Sequence, residues 1–427
     1  MRWKSLVLSV SAVLATSVAL LCGTCSATKE RVLYAFKGGT DGQTPIGALV
    51  ADGKGNLYGT TESGGVYGVG TVFKLTRSGN TWKESVLHTF GKGNDGAGPT
   101  GKLMLDDSGT LYGTTSIGGG SMATCTEGCG TVFSLAQDSQ QKWTERVLHR
   151  FNTFQGDGAI PYAGLLKDRG GNFYGATAYG GTGTCNGGCG TVFELKESNG
   201  VWEERVIYSF NDKDGRYASN DLTLDSQGNL YGATAEGGAT YGVVFKLLPS
   251  SEGQWSESIL HTFTYYDGAY PSSALIFDHA DNLYGVTGSG SGGSCGCCGC
   301  GVVFRLTPQS RGIWAETVLY NFAAHGDGIS PDSLILSKAG RFYGAASGSK
   351  RRIGFVFELG QESEDRWQER VLHTFWWSKY GGGRRNGDYP GGLIFGPGGS
   401  IYGVGAAGGD QHCGGGQGCG VVFQILP

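Results

Sequence analysis

The sequence predicts an all-β fold, namely one seven-bladed β-propeller with four antiparallel strands per blade. Three observations lead to this prediction. Glycine supplies 80 of the 427 residues, far above the usual ~7%, which argues against helices. The tripeptide Leu57-Tyr58-Gly59 recurs, with variation, in seven copies at intervals of 53 to 62 residues. Each interval contains four short runs of strand length, a pattern typical of propeller blades rather than of a helical solenoid.

The unit from residue 46 to residue 90 shows how one blade is built. Its runs are rich in β-branched and aromatic residues, and glycine, asparagine and aspartate turns separate them. The hairpin-type turn Asp52-Gly53-Lys54-Gly55-Asn56 joins the first two runs. The four predicted strands are Gly47–Ala51, Leu57–Thr61, Gly70–Thr76 and Trp82–Phe90.

Two further signatures accompany the tyrosine and glycine of each repeat. A Val-Phe pair marks the third strand, and a Glu-x-Val-Leu-x-x-Phe run marks the fourth, in most copies beside a tryptophan. The seventh Val-Phe strand leads to Pro427, while an orphan copy of the fourth-strand signature spans residues 30–36. We therefore predict 3+1 closure, in which the N-terminal strand completes the last blade of one domain, residues 29–427, and removes an exposed sheet edge.

The N-terminal segment has the layout of a secretory signal peptide. Arg2 and Lys4 precede an apolar run from Leu6 to Cys22, and small residues lead to a predicted cleavage site after Ala27. We expect residues 1–27 to be removed, which makes the mature protein secreted, extracellular or periplasmic, with no membrane span. An uncleaved anchor is the alternative, because the run is close to spanning length.

The charge of the chain excludes one class of partner. Charged residues make up 16% of the sequence and the net charge is −4, so the basic surface that neutralises nucleic-acid phosphates is missing. We expect a monomer that binds no nucleic acid.

Signal-peptide removal leaves ten cysteines, and an even number in an exported chain predicts disulfides. All of them fall in the glycine-rich loops between second and third strands. A disulfide that closes about five residues contributes ~2 kcal/mol by restricting the unfolded loop. Thiolate binding of zinc or copper is the alternative, but ligands so close in sequence close a tetrahedral site poorly. We expect disulfides and no metal at Cys125, Cys129, Cys185, Cys189, Cys295, Cys297, Cys298, Cys300, Cys413 and Cys419.

The loops between blades carry an Asp-Gly-x-x-Pro motif, as in Asp41 to Pro45. These residues are typical of turns, in which aspartate accepts a backbone N–H and glycine takes positive φ. A circle of carboxylates could instead bind Ca²⁺ or supply acid and base groups. Because nearly every blade repeats the motif whereas catalysis needs asymmetry, we favour turns and expect no cofactor, with Ca²⁺ at these loops as the alternative. The motif starts at Asp41, Asp95, Asp157, Asp267 and Asp327, while the Asp214 copy ends in Ala218 and the last copy reads Asn386-Gly387-Asp388-Tyr389-Pro390.

The histidines at the end of the fourth strands interchange with tyrosine between repeats. This interchange predicts a packing role rather than a catalytic one, and the sequence contains no recognisable catalytic constellation. The residues are His88, His149, His261 and His373, at the position that Tyr34, Tyr208 and Tyr320 hold in other blades.

Blade geometry places two kinds of loop on one face, here called the loop face: the loops between strands two and three, and the loops that lead to the next blade. The loop before the last blade is expanded and combines tryptophans with arginines. Aromatic rings stack on sugar rings and guanidinium groups bind carboxylates, so we predict a binding patch here. Coverage of a blade edge by Trp376 and Trp377 is the alternative. The predicted ligand-binding residues are Trp376, Trp377, Tyr380, Arg384, Arg385, Lys350, Arg351 and Arg352, with Tyr265, Tyr266, Tyr270 and Tyr389 on the same face.

The repeats resemble those of a known family. Units of the form Asp-x-x-Gly-Asn-Leu-Tyr-Gly-Thr-Thr, Gly-Thr-Val-Phe-Lys-Leu, Trp-x-Glu-x-Val-Leu-x-x-Phe and Asp-Gly-x-x-Pro are similar to the GloVer tandem repeat of exported bacterial proteins. The resemblance covers essentially all of the mature chain. It implies an extracytoplasmic, repeat-built protein, in many members attached to the surface by a C-terminal anchor, and it implies no catalytic residues.

Three hypotheses for function remain open at this level. We favour a non-catalytic binding protein that recognises a polysaccharide or another cell-surface polymer through the loop face. The alternatives are a polysaccharide lyase or hydrolase with carboxylates at the channel mouth, and a scaffold for protein partners. A propeller supports all three, so the fold alone does not choose among them.

Overall fold

The computed structural model describes residues 28–92, 94–120, 125–153, 156–291, 299–322, 328–348, 352–363, 366–376, 385–410, 413 and 417–426. The predicted signal peptide, residues 1–27, lies outside these ranges. The described chain consists of β-strands joined by turns, with short 3-10 turns at Gly39–Asp41, Ser310–Gly312 and Pro397–Gly399. Within these ranges, no helix is long and apolar enough to cross a membrane.

Seven antiparallel four-stranded sheets form the blades of a ring, which confirms the predicted seven-bladed β-propeller. The strands are numbered in chain order, and β1 (Lys29–Ala35) belongs to the last blade. Blade 1 contains β2 (Gln43–Ala51), β3 (Leu57–Ser63), β4 (Thr71–Ser78) and β5 (Thr81–Thr89). Blade 2 contains β6 (Met104–Leu105), β7 (Leu111–Thr115), β8 (Thr131–Gln137) and β9 (Trp143–Arg150).

Blade 3 has a small additional sheet beside it, formed by β10 (Gly158–Ala159) and β13 (Tyr179–Gly180). The blade itself contains β11 (Leu166–Lys167), β12 (Phe173–Thr177), β14 (Thr191–Ser198) and β15 (Val201–Ser209). Blade 4 contains β16 (Thr223–Leu224), β17 (Leu230–Thr234), β18 (Val243–Pro249) and β19 (Trp255–Thr262). In blade 5, β20 (Ala269–Pro271) and β21 (Ile276–Phe277) share the first position, followed by β22 (Leu283–Ser289), β23 (Val302–Pro308) and β24 (Trp314–Asn321).

The last two blades close the ring. Blade 6 contains β25 (Ile329–Leu336), β26 (Phe342–Ser347), β27 (Arg352–Ser363) and β28 (Arg366–Trp376). Blade 7 contains β29 (Arg385–Phe395), β30 (Ile401–Gly409) and β31 (Val421–Leu426), and β1 is its fourth strand. The antiparallel register runs from Lys29 opposite Leu426 to Ala35 opposite Val421. The predicted 3+1 closure is therefore confirmed.

The glycine of the Leu-Tyr-Gly signature makes room for the phenylalanine of the Val-Phe signature. A Cβ on Gly59 would lie 2.6 Å from Cζ of Phe73, its partner across β3 and β4. The corresponding distances in the other blades are 2.3–2.7 Å. Any side chain at this glycine would displace a fully buried ring, so the two signatures recur together.

Aromatic contacts join each blade to the next. Phe36 at the end of β1 packs edge-to-face on Phe73 of blade 1, with ring centroids 5.0 Å apart. The equivalent phenylalanine pairs at the other junctions lie 5.1–5.3 Å apart. The tryptophan of the fourth strand extends the contact, as in Trp82 against Tyr402 of blade 7 at 6.2 Å. The three repeat signatures thus form both the interior of a blade and its junctions.

The first strand of each blade faces the axis of the ring. Residues of the first strands or of the segments before them line a central channel of about 400 Å³. The fourth strands lie outermost, and in β5 exposed and half-buried residues alternate from Thr81 to Val86. This order places the Asp-x-x-Gly-Asn hairpins on the face opposite the loop face.

Candidate functional site

Hydrogen bonds tie the loops of the loop face to one another around the channel mouth. The backbone N–H of Ile160, in the loop between blades 2 and 3, donates to the carbonyl oxygen of Cys129 at 2.8 Å. Tyr217 makes the same bond to Cys189 at 3.1 Å, and Tyr270 makes it to Tyr241 at 3.0 Å. Each of these inter-blade loops is therefore anchored to the loop between strands two and three of the preceding blade.

The residue at this position has a left-handed backbone before every blade, and the structure describes the bond for six of the seven. Its φ lies between 48° and 59°, a conformation that costs about 1–3 kcal/mol for a residue other than glycine. The hydrogen bond offsets part of this cost and fixes the direction of the side chain. We call these residues the mouth ring: Thr44, Gly98, Ile160, Tyr217, Tyr270, Ser330 and Tyr389.

Disulfides close the loops that accept these bonds. The structure contains Cys125–Cys129, Cys185–Cys189 and Cys413–Cys419, with Cα atoms 4.9–5.3 Å apart. Cys300 is also disulfide-bonded, while Cys295, Cys297 and Cys298 lie outside the described residues. The residue before the third strand anchors the next blade through its backbone carbonyl, as Tyr241 also does, and a cysteine at this position additionally holds the loop closed through its side chain.

The glycine before this cysteine has a separate steric cause. At Gly188, a Cβ would lie 2.0 Å from the carbonyl oxygen of Gly180, and φ is +85°. The loop folds back on itself too tightly for any other residue. The recurring Gly-Cys-Gly sequence is therefore explained by the compact, crosslinked loop that it forms.

Four tyrosines form an aromatic cluster on the loop face between blades 4 and 5. The ring of Tyr241 lies 5.6 Å from that of Tyr265 and 6.2 Å from that of Tyr270, and Tyr266 lies 6.0 Å from Tyr265. Tyr266 is 81% exposed and Tyr270 is 39% exposed. We call this cluster the tyrosine patch. Its two exposed rings contribute little to the core, so they are accessible to a ligand.

A second aromatic group lies on the loop face at blades 3 and 4. Tyr179 packs edge-to-face on Tyr217, with ring centroids 5.0 Å apart. The Arg216 guanidinium lies 5.5 Å from the centroid of the Tyr217 ring and forms a 2.6 Å ion pair with Glu236. The Glu236 carboxylate balances the positive charge of Arg216, and the contact with the guanidinium holds the Tyr217 ring in place.

The predicted tryptophan and arginine patch is only partly described. Trp376 ends β28 and is 57% exposed, and its backbone pairs with that of Arg352 in β27. Arg385 begins β29, but the side chains of Arg352 and Arg385 are not described. Trp377, Tyr380, Arg384, Lys350 and Arg351 lie outside the described residues. This patch therefore stays a prediction, whereas the tyrosine patch is defined by contacts.

The aspartates of the Asp-Gly loops hold the turns, as the sequence predicts. Asp41 accepts the backbone N–H of Lys37 at 2.7 Å and the hydroxyl of Tyr34 at 2.6 Å. Where histidine replaces tyrosine, the ring nitrogen takes over the contact, as in His88 and Asp95 at 3.2 Å. Burial lowers the pKa of His88, which opposes protonation despite the nearby carboxylate. The partnership was missed because the sequence indicates packing but not the acceptor.

A glutamate from the following blade completes each described junction of this kind. Burial raises the pKa of Glu84 to about 8, and the Asp41 carboxylate adds to this shift. The pKa of Glu145, Glu204, Glu257 and Glu316 is raised to about 7, in each case first by burial. In all five, Oε1 is buried and makes no hydrogen bond within the described part of the chain. These carboxyl groups are therefore stable in the fold when they carry a proton.

One junction could hold a metal ion. In the part of the chain that the structure describes, His149, Asp157 and Glu204 offer three ligand atoms within 4.8 Å of one another. At the junction of blades 7 and 1, a tyrosine takes the place of the histidine, and Tyr34 donates a hydrogen bond to Asp41. The shared feature of the junctions is thus a hydrogen bond rather than ligation, which favours a structural role.

The central channel contains a carboxylate with distinctive electrostatics. Asp332 of blade 6 is exposed to the channel lumen, but protein surrounds the lumen. This enclosure raises the pKa of Asp332 to about 7. Asp221 of blade 4 also lines the channel and accepts the backbone N–H of Gly164 at 2.7 Å.

Comparison with solved structures finds distant matches. A putative glucose dehydrogenase from Thermus thermophilus is 14% identical, with a TM-score of 0.43 over 94% of this chain and 100% of that chain. A PQQ-bound aldose sugar dehydrogenase from Streptomyces coelicolor is 12% identical, with a TM-score of 0.44 over 80% and 97% of the two chains. A luciferin-regenerating enzyme is 14% identical, with a TM-score of 0.44 over 77% and 91%. Identity and TM-score are too low to identify an activity.

Comparison with sequences gives a family. No curated protein matches the chain. The model of the Gloeobacter/Verrucomicrobia repeat matches residues 22–187 and 120–299, which together span more than half of the sequence and include the signatures that build the blades. The chain belongs to the Gloeobacter/Verrucomicrobia repeat family.

Proposed function

We propose that this is an exported, non-catalytic binding protein that recognises a polysaccharide or another cell-surface polymer through the loop face. The observation that carries the proposal is the tyrosine patch, in which exposed rings of Tyr266 and Tyr270 stand beside Tyr241 and Tyr265. Tyrosine combines a flat apolar ring with a hydroxyl group, which suits the faces and hydroxyls of sugars.

The rigidity of the loop face supports this proposal. Backbone hydrogen bonds anchor the mouth ring, and disulfides close the loops at Cys125–Cys129 and Cys185–Cys189. A surface that is ordered before binding loses less conformational entropy on binding. Disulfides also persist in oxidising compartments, in agreement with export.

The test is a panel of immobilised polysaccharides exposed to residues 28–427, with retention and released sugar measured together. We expect retention without release, and a loss of at least about tenfold in affinity for Tyr266→Ala/Tyr270→Ala. Trp376→Ala/Trp377→Ala tests the predicted patch in the same assay. Phe395→Ala is the matched control, because Phe395 is an exposed aromatic residue at the end of β29, on the opposite face. Retention that neither aromatic pair affects would contradict the proposal.

A polysaccharide-active enzyme is the second candidate, and Asp332 is the observation that favours it. A carboxyl group with a pKa of about 7 can act as a general acid near neutral pH. Release of sugar by the wild-type protein but not by Asp332→Asn would favour this candidate. If the panel yields neither retention nor release, both candidates fail and a scaffold for protein partners is the remaining hypothesis.

A further inference from the structure

A cleft opens on the loop face between blades 2 and 3. Its volume is about 600 Å³, within the ~300–1,000 Å³ typical of small-molecule sites. One wall is the loop closed by Cys125–Cys129, and the other is the loop closed by Cys185–Cys189. The described part of each wall is thus a crosslinked segment.

The floor of the cleft is tied to both walls. Ile160 donates its N–H to the carbonyl oxygen of Cys129 at 2.8 Å, and its own carbonyl accepts the N–H of Ala178 at 3.2 Å. Ile160 is β-branched yet has a φ of 58°, so its conformation depends on these bonds. The same conformation recurs around the mouth ring, so the floor of the cleft is a rigid part of the scaffold.

An aromatic ring lines one side of the cleft. The packing of Tyr179 on Tyr217 fixes the ring at an interplanar angle of 65°. A Cβ on Gly187 would lie 3.2 Å from Cδ1 of Tyr179, so the glycine backbone lies close to one edge of the ring and a larger residue would crowd it. The cleft therefore offers a preformed platform with apolar contacts from Ile117 and Ile160.

The polar lining has a definite charge. Among the described residues that line the cleft, Glu127 is the one charged side chain, and it is exposed. Thr126 and Thr153 add hydroxyl groups. A carboxylate at this edge repels anionic ligands and attracts an ammonium group.

We propose that this cleft seats one pyranose unit of the bound polymer, that Tyr179 stacks on the sugar ring, and that Glu127 selects neutral or amino sugars over uronic acids. This inference rests on the proposed function. It adds the location of a sugar subsite and the charge class of the sugar.

The test is calorimetric titration of residues 28–427 with three hexasaccharides: cellohexaose, the hexamer of chitosan, and hexagalacturonic acid. We expect the first two to bind more tightly than the third. Tyr179→Ala and Thr126→Trp should weaken binding by about tenfold or more, since one removes the platform and the other fills the cleft. Glu127→Gln should reduce the ratio of the affinities for chitosan hexamer and hexagalacturonic acid by about two- to fivefold. Ser226→Trp, at an exposed turn of the opposite face, is the control for an added ring.

The outcomes separate the two proposals. If Tyr266→Ala/Tyr270→Ala abolishes binding while Tyr179→Ala and Thr126→Trp leave it unchanged, the cleft inference is wrong and the proposed function stands. A preference for hexagalacturonic acid overturns the charge assignment. If no hexasaccharide and no polysaccharide of the panel binds, both proposals are wrong.

Discussion

The backbone N–H of Ile160 donates a 2.8 Å hydrogen bond to the carbonyl oxygen of Cys129, across the junction of blades 2 and 3. Cys129 is fully buried and disulfide-bonded to Cys125. The crosslink therefore acts at two levels: it closes its own loop, and it holds the acceptor that positions the next blade's mouth-ring residue. The same relationship joins Tyr217 to Cys189.

Removal of one crosslink should measurably destabilise the propeller. For Cys125→Ala/Cys129→Ala we expect the free energy of unfolding to fall by about 2 kcal/mol, the loop-entropy contribution of so short a ring. Urea unfolding at equilibrium measures the change. Cys185→Ala/Cys189→Ala should lower the free energy of unfolding by a similar amount, because the two cysteines of each disulfide have the same sequence separation of 4. An unchanged unfolding midpoint in both variants would contradict the role assigned to these disulfides.

All ten cysteines of the mature chain should be oxidised. We expect no free thiol in unreduced, denatured protein and no bound zinc or copper, because an exported chain with cysteines in compact loops favours disulfides over thiolate ligation. A thiol-reactive dye and metal analysis of the native protein test this. Stoichiometric zinc, or two or more reactive thiols, would instead assign a metal site to the cluster from Cys295 to Cys300.

The junction glutamates should make stability fall as pH rises. The pKa of Glu84 is raised from 4.5 to about 8. Its contribution to the free energy of unfolding is therefore fully present below about pH 4.5 and is lost as pH rises through about 8. In Glu84→Gln, the side-chain amide can still donate a hydrogen bond to Asp41, and it does so without taking up a proton. We expect equal stability of both proteins near pH 4.5, and the variant to be more stable by about 1–2 kcal/mol at pH 9, a value reduced for solvent screening.

Urea unfolding at several pH values measures this difference. Glu62→Gln is the matched control, since Glu62 is an exposed carboxylate of the same blade. It should show no such change with pH. A constant difference between wild type and Glu84→Gln from pH 4.5 to 9 would show that the junction does not hold the proton.

Ring closure depends on the N-terminal strand. Phe36 is fully buried against Phe73, so Phe36→Ala should cost about 3–5 kcal/mol of unfolding free energy. The exposed Lys29→Ala in the same strand should change it by less than about 0.5 kcal/mol. A chain that starts at residue 38 lacks β1 and leaves the edge of β31 unpaired, so we expect it to self-associate in light scattering. A stable monomer would contradict the closure.

The sequence predicts most of the scaffold because the physical requirements repeat. Gly59 and Phe73 recur as a pair since one must leave space for the other, and periodicity reveals such pairs without a structure. The predicted strands begin and end within a few residues of β2 to β5. For example, β2 begins at Gln43 rather than Gly47 because its pairing with β3 continues past a bulge between Ile46 and Val50.

The site is harder to predict because it depends on where side chains from different repeats meet. Sequence analysis places Tyr265, Tyr266 and Tyr270 on the loop face but does not reveal Tyr241, which joins them from the loop of the preceding blade. The position of Glu84 beside Asp41 is likewise hidden, since 43 residues and a blade junction separate them. The spacing between each histidine or tyrosine and the next Asp-Gly pair is the signal that could have revealed the junction.

The most direct test of the central claim is the binding isotherm of a polysaccharide that the panel retains, measured for the mature chain, Tyr266→Ala/Tyr270→Ala and Phe395→Ala. We expect the tyrosine variant to bind at least about tenfold more weakly and Phe395→Ala to bind as the wild type does. If the tyrosine variant keeps wild-type affinity while Phe395→Ala loses it, the ligand lies on the opposite face and the loop-face account is contradicted.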